Sequence, residues 1–331
     1  MIASKSSVYT DVCLAEGKEY TEYEDYLIKF GVQKDYEITD KVGRGKYADV
    51  YSGVNMITGE EIAIKVFKPV KKSKIRREVK ILHILKGGPN IMEIRDVVRD
   101  AATKTPAIIT EYINQRDMDL KKMFNKFTLD DVREYMYQTL LALDFTHSKG
   151  IMHRDIKPHN ILFDPVNRHY RLADWGLAEF YKPEQEYNTR VAALFYKAPE
   201  LILNYPYYDY SVDMWAIGCI FAELIYQKHP FFSGKDPLDQ MLKIAKVLGT
   251  KKLGEYAENF KIEIDSSMKE MIGKHSEKPW EISKLIDKTL ANHEEIHTNV
   301  VNLLSRLLQY DHTKRITARE ALDHPFFARR E

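Results

Sequence analysis

His153-Arg154-Asp155-Ile156-Lys157-Pro158-His159-Asn160, with Asp174-Trp175-Gly176 further on, is the stretch on which the reading of this chain turns. It sets a carboxylate, a lysine and an amide on one short segment and a second carboxylate on the next. Ile151-Met152 before it and Ile161-Leu162-Phe163 after it read as short apolar strands, so the polar residues belong to a loop held by buried flanks. Phosphoryl transfer on magnesium needs such a set: negative charge neutralised, a hydroxyl aimed in line, and hard oxygen ligands for the ion. Asp155 is the candidate to orient the hydroxyl or accept its proton, and Lys157 to neutralise the transferring group. Asn160 and Asp174 are the candidates to hold magnesium.

Toward the amino end, Glu61-Ile62-Ala63-Ile64-Lys65-Val66-Phe67 alternates as a strand does. Before it, Val42 to Tyr51 places Gly43 and Gly45 in the turn of a hairpin; glycines at a turn are mostly turn chemistry, and they gain meaning from Lys65 on the next strand. From Lys74 to Leu85 the period becomes helical, with Ile75, Val79, Leu82 and Leu85 three and four apart. Glu78 on this helix reads as a solvated charge by itself. A strand lysine followed by a helical glutamate also forms the ion pair that aims the lysine at nucleotide phosphates. Gly87-Gly88-Pro89 ends the helix, strands at 94–99 and 107–112 complete a small antiparallel sheet, and Ile113-Asn114-Gln115-Arg116-Asp117 is the best boundary between two lobes. Residues 1 to about 34 carry too few apolar side chains for a core of their own. They read as an arm packed on the body, or else as a disordered tail.

Toward the carboxyl end the chain is mainly helical. Leu129–Ser148 forms one long helix, capped by Thr128 with Asp131 in its first turn and stopped by Gly150. After Asp174-Trp175-Gly176 an irregular polar segment reaches Ala198-Pro199-Glu200. An apolar helix from Asp213, a segment over 233–285 with further helices, and helices near 300–308 and 317–322 follow. Glu200 and Arg315 are expected to pair in the interior, Asp213 to accept from backbone amides of the His153–Asn160 loop, and Leu82, His153 and Trp175 to stack between the lobes. His153 therefore needs no acid or base role.

The length of 331 residues exceeds a usual single core, so two lobes around a cleft are expected. Composition is that of a soluble globular protein. A net charge of +1 does not single out nucleic acid or membrane as partner. Cys13 and Cys219 are too few for a disulfide framework and fit a reducing compartment. The first residues lack an apolar leader core, and the most apolar helix, 215–226, is short and contains Glu223. Cytoplasm and nucleus are the expected locations.

With these residues set out, the chain resembles the eukaryotic protein kinases over 36–327 and, more narrowly, the catalytic α subunits of casein kinase II. The narrower likeness rests on Val8-Tyr9-Thr10-Asp11-Val12, Gly43-Arg44-Gly45-Lys46-Tyr47, Lys68-Pro69-Val70-Lys71-Lys72, Gly87-Gly88-Pro89-Asn90-Ile91, Gly150 through Asp155, Asp174 through Tyr181, Ile244 through Thr250 and Tyr310-Asp311-His312. Tryptophan after Asp174, where most kinases have phenylalanine, is its most discriminating mark. The resemblance implies an α+β bilobal fold: an arm at 1–35, a small mainly antiparallel sheet lobe with one key helix at 36–113, and a larger helical lobe at 114–331. It implies a nucleotide site of Val42, Gly43, Arg44, Gly45, Lys46, Val50, Ala63, Lys65, Glu78, Thr110, Glu111, Ile113, Leu162 and Asp174, using ATP or GTP with Mg2+.

The resemblance also implies transfer to serine or threonine in acidic contexts without phosphorylation of the activation segment. Lys46, Lys71, Lys72, Lys74, Arg77, Lys80, Arg190 and Lys197 would receive the acidic protein substrate. A solvated helix face or a nuclear import signal is the other reading of the basic run, which also contains Arg76. Tyr20, Tyr23 and Tyr26 of the arm would pack on the activation segment, in which Tyr187 and Thr189 are conceivable phosphorylation sites. The outer sheet face with Ile38, Tyr51, Ile64, Val66, Val98 and Ile109 resembles the surface that docks a regulatory β-subunit dimer, although core packing explains most of these residues equally well. The chain departs from the subfamily at Thr110 (usually phenylalanine), Leu194 (usually arginine) and Ala198 (usually glycine). Cyclin-dependent or mitogen-activated kinases share the 244–250 stretch. A catalytically dead scaffold of the same fold is the rival of another class, and the intact Lys65, Glu78, Asp155, Asn160 and Asp174 argue against it.

Overall fold

A computed structural model describes residues 1–115, 119–274 and 294–328. Arg116 and Asp117 of the expected boundary, and 275–285 of the expected 233–285 segment, lie outside the described residues. The arm carries two short helices, α1 (Val12–Ala15) and α2 (Lys18–Thr21). Strands β1 (Tyr36–Arg44), β2 (Ala48–Asn55) and β3 (Glu61–Phe67) follow, then helix α3 (Lys72–Leu85) and strands β4 (Ile94–Arg99) and β5 (Pro106–Glu111). The five strands form one antiparallel sheet in the order β1-β2-β3-β5-β4.

The larger lobe contains α4 (Leu120–Phe124), α5 (Leu129–Ser148), the two-stranded pairs of β6 (Ile151–Met152) with β9 (Glu179–Phe180) and β7 (Ile161–Asp164) with β8 (His169–Leu172), and then helices α6 (Pro199–Ile202), α7 (Ser211–Tyr226), α8 (Pro237–Leu248), α9 (Thr250–Asn259), α10 (Ser266–Lys274), α11 (Glu294–Leu307) and α12 (Ala318–Leu322). The fold is thus α+β, a sheet lobe joined to a helical lobe. Helix α5 starts where its sequence signals place it: Thr128 accepts from Asp131 N–H and the Asp131 carboxylate accepts from Thr128 N–H, a reciprocal cap that stabilises by about 1 kcal/mol. Helix α7 is buried nearly all round, which explains its apolar composition. No helix among the described residues is long and apolar enough to cross a membrane.

One expectation about the hairpin changes. Only Gly45 lies in the β1–β2 turn, where its N–H donates to Ala48 O at 2.8 Å; Gly43 is within β1 opposite Val50, beside a shift in the strand register. A Cβ on Gly45 would sit 3.0 Å from Ala48 O, so this turn favours the residue without one.

The arm is not a loose tail. Ile2 N–H donates to Phe260 O, Ser4 Oγ meets His312 Nε2 at 2.8 Å, and Tyr9 Oη donates to Asp144. Further on, Tyr20 Oη donates to Lys149 O at 2.8 Å, Tyr23 stacks on Phe180, and Tyr26 Oη meets His83 Nδ1 on α3 at 2.8 Å.

Candidate active site

Helix α7 enters the site through Asp213, whose carboxylate accepts from His153 N–H at 2.9 Å and Arg154 N–H at 2.8 Å, with His147 Nε2 at 3.0 Å. Burial alone would raise the Asp213 pKa, but these bonds outweigh it and hold the group below its ordinary value. The loop is thereby pinned from below, with Arg154 held at φ 65°. His153 Nδ1 accepts from Asp155 N–H and its Nε2 faces Ala173 O at 3.1 Å. That pattern needs a neutral ring protonated on Nε2, and burial lowers its pKa accordingly.

Above this base, Lys157 Nζ lies 2.7 Å from Asp155 Oδ2, while Asn160 Nδ2 donates to Asp155 O at 2.8 Å and to its Oδ2 at 3.1 Å. Asp155 therefore sits at the centre of the loop, oriented by both Lys157 and Asn160. Because the Asn160 amide nitrogen is spent on Asp155, its oxygen is the atom left for a cation.

Lys65 reaches across from β3 to Glu78 Oε1 at 2.6 Å and Asp174 Oδ1 at 2.7 Å. Burial works against its charge, but the two carboxylates prevail and raise the lysine pKa. Lys65 in turn holds Asp174 down to about 2, so that carboxylate is ionised throughout the neutral range. Asp174 is half-exposed at φ 60° and keeps Oδ2 for another partner. A half-exposed carboxylate and an amide oxygen, on segments joined by the 2.8 Å bond from Ala173 N–H to Asn160 O, are hard-oxygen donors that suit magnesium with water and phosphate completing its shell. Gly176 passes so near that a Cβ there would meet Glu78 Oε2 at 3.3 Å and Asp174 Oδ1 at 3.4 Å.

Cross-strand register brings the expected nucleotide face together. Gly43, Val50 and Lys65 lie in one row, with Ala63 paired to Thr110 beside it. Leu162 on β7 and Ile113 after β5 lie on the segments flanking the sheet lobe's junction with the larger lobe. Val42, Arg44 and Lys46 are exposed along β1 and its turn. Glu111 commits its carboxylate to Arg171 Nε and Glu93 N–H at 2.7 Å each, and its N–H to Glu93 O at 3.1 Å.

The eight expected substrate residues divide. Lys46, Lys71, Lys72, Lys74 and Arg190 are exposed, with Lys74 Nζ 4.5 Å from the Tyr47 ring. Arg77, Lys80 and Lys197 are committed inside the molecule. Arg77 bonds Glu179 at 2.6 Å and Gly176 O, Lys80 donates to the carbonyls of Glu19 and Glu22, and Lys197 donates to Thr189 O and Val191 O. Each of these cations finds ready-made oxygens beside it, so none is free to meet a substrate.

The protein kinase domain, taken as a family profile, matches residues 36–327. The chain belongs to the protein kinase family. As a kinase it transfers a phosphoryl group from ATP, and the family's use of Mg2+ agrees with the oxygen donors left free on Asn160 and Asp174. When bound, the ion would be held by Asn160 and Asp174 and would neutralise phosphate charge. Glu179 of β9 joins Arg77, Arg154 and Tyr23 in this kinase, a meeting with no signal in the sequence because one glutamate carries none until those separate segments converge.

Proposed function

We propose that this kinase is a serine/threonine kinase of the casein kinase II type, using ATP and also GTP, selecting acidic contexts, and active without phosphorylation of its activation segment. In this reading Asp155 orients the acceptor hydroxyl, Lys157 neutralises the phosphoryl group, Lys65 grips the nucleotide phosphates, and Asn160 and Asp174 hold the metal ion.

The observation that carries it is how the activation segment is already fastened. Glu179 Oε2 lies 2.6 Å from Arg77 NH1 and 3.6 Å from Arg154 NH2, with Tyr23 Oη at 3.4 Å. One carboxylate thus satisfies cations from α3 and from the His153–Asn160 loop, the work for which a regulated kinase adds a phosphate. Trp175, 1% exposed, donates from Nε1 to Leu172 O at 3.2 Å and packs on His153 at 4.6 Å between ring centres. Tyr187 is buried with its hydroxyl on Phe180 O, and the Thr189 hydroxyl is on Asn204. Neither the tyrosine nor the tryptophan can move without losing these bonds.

For the substrate we propose an acidic protein segment met by Lys46, Lys71, Lys72, Lys74 and Arg190, with Leu194 facing the residue after the target and demanding less acidity there than arginine would. For the partner, Ile64, Val98 and Ile109 belong to the core of the outer sheet face, which leaves Ile38 exposed with Tyr51 and Val66 half-buried as the footing for a β-subunit dimer. Cytoplasm and nucleus are the proposed locations.

Transfer of labelled phosphate from ATP to an acidic serine peptide tests the reading. The expected result is turnover that excess GTP suppresses and that Asp155→Asn lowers by about a hundredfold or more. Turnover indifferent to GTP, or equal on a basic peptide, would overturn the subfamily assignment.

A further inference from the structure

Two buried glutamates of the larger lobe, Glu200 and Glu223, are held in opposite ways. Glu200 faces Arg315 through two bonds at 2.7 and 3.1 Å. Glu223 on α7, 2% exposed, has only neutral donors among the described residues: Tyr196 Oη at 3.3 Å and Phe231 N–H at 3.4 Å. Its ion-pair neighbour among the described residues is His229, with Nδ1 at 3.7 Å, and neither nitrogen of that buried ring has a hydrogen-bond partner among them. A carboxylate without a cation, beside an imidazole without a partner, is a place for a proton to be taken up and released.

Few groups among the described residues face this pair. Tyr135 of α5, whose hydroxyl has no partner among them, and Tyr196 feel the charge of Glu223, as does Cys219 one turn earlier on α7; Arg315 also acts on Cys219, and Lys121 of α4 acts on His229. Burial pushes Glu223 up to about 7, against the pull of Tyr196 and Phe231, and lowers His229. Glu223 therefore changes charge within the working range of a kinase.

Tyr196 couples this proton to the activation segment. It closes the tight turn Leu194–Tyr196, whose other outside tie is Gln240 Nε2 to Phe195 O at 3.2 Å. Leu194 is half-buried and Phe195 is exposed, so the turn presents an apolar edge. An ionised Glu223 accepts the Tyr196 hydroxyl more strongly than a neutral one and draws the turn onto α7.

We propose that Tyr196, Glu223 and His229 form a proton-operated anchor, in which ionisation of Glu223 fixes the Leu194–Tyr196 turn and so positions Leu194 and Phe195 against the substrate residue next to the target. Glu223 is a positioning residue that acts through Tyr196. The proposal rests on Leu194 facing substrate, as proposed above, and extends that reading to a pH-dependent selectivity.

The test follows KM for peptide, KM for ATP and kcat of the full chain from about pH 6 to about pH 8.5, spanning the neutral range in which such groups titrate. Infrared spectra of the same protein record the protonated carboxyl band. The expected result is a peptide KM that falls about threefold as pH rises through the Glu223 transition, the gain of one hydrogen bond turned charge-assisted, with KM for ATP level. Tyr196→Phe keeps the infrared titration and loses the KM step; Glu223→Gln loses both. Should Glu223→Gln fail to fold, Tyr196→Phe decides alone. A KM step that survives Tyr196→Phe overturns the anchor, as does a band that titrates with no step in wild type. No turnover of any acidic peptide, with the band still titrating, overturns the substrate reading and the anchor with it.

Discussion

Arg315 spends its guanidinium on Glu200 and on the carbonyls of Ser211 and Gln309, with both partner side chains fully buried. Removing one member would strand the other charge in the interior, so Arg315→Ala is expected to lower stability by about 3–5 kcal/mol in urea unfolding. A loss under about 1 kcal/mol would mean that water reaches Glu200. At this scale much was legible in the chain itself. Asp155, Lys157 and Asn160 fall within one loop and bond one another, so their spacing carried their geometry. Asp213 is likewise legible as an acceptor for amides of this loop, and it takes those of His153 and Arg154. Glu223 was not legible at all: its partners Tyr196 and His229 come from separate segments, and an acid in an apolar helix says only that the segment does not span a membrane.

The arm and helix α3 hold the clearest difference between pattern and structure. Basic residues along α3 promised a surface for acidic substrates, yet the helix has two sides. Lys74 is exposed, whereas Arg77 and Lys80 are covered by the arm and by β9. Charge on a helix shows neither which face a distant segment will cover nor which carbonyls that segment brings. Two predictions belong to these elements. Replacing Lys71, Lys72 and Lys74 together with alanine is expected to raise KM for an acidic peptide severalfold at low salt and to spare kcat, because these lysines touch neither Lys65 nor Asp155. An unchanged KM at moderate salt would count against them as substrate residues. Deleting residues 1–30 is expected to lower kcat about tenfold or more with little change in nucleotide affinity, since it uncovers Arg76 and Lys80 and removes Tyr23 from Glu179. An equally active truncation would show that Glu179 and its arginines suffice alone.

Across the whole molecule, protonation sets stability through opposed groups. Burial lowers the pKa of His83, His153, His229, His312 and His324. The unfolded chain then binds protons more readily than the folded one, and stability is lost as pH falls below the ordinary histidine value of 6.5. Glu223 acts the other way. Its ordinary value of 4.5 is raised to about 7, so its contribution is present at low pH and is lost as pH rises across that window. Tm is therefore expected to fall on acidification below about pH 6.5, and to fall more steeply in Glu223→Gln, which lacks the opposing proton. Parallel Tm profiles would place the Glu223 carboxyl at an ordinary pKa.

The same whole-molecule view gives the arm a mechanical meaning. Its first residues are bonded to Phe260 and His312 in the helical lobe, and its later ones to His83, Lys80 and Val97 in the sheet lobe. It is a strap that joins the two lobes. Any opening of the cleft for nucleotide exchange must stretch this strap or unpeel one of its fastenings. The amplitude of that breathing, and with it the rate at which spent nucleotide departs, is therefore expected to rise when the arm is removed.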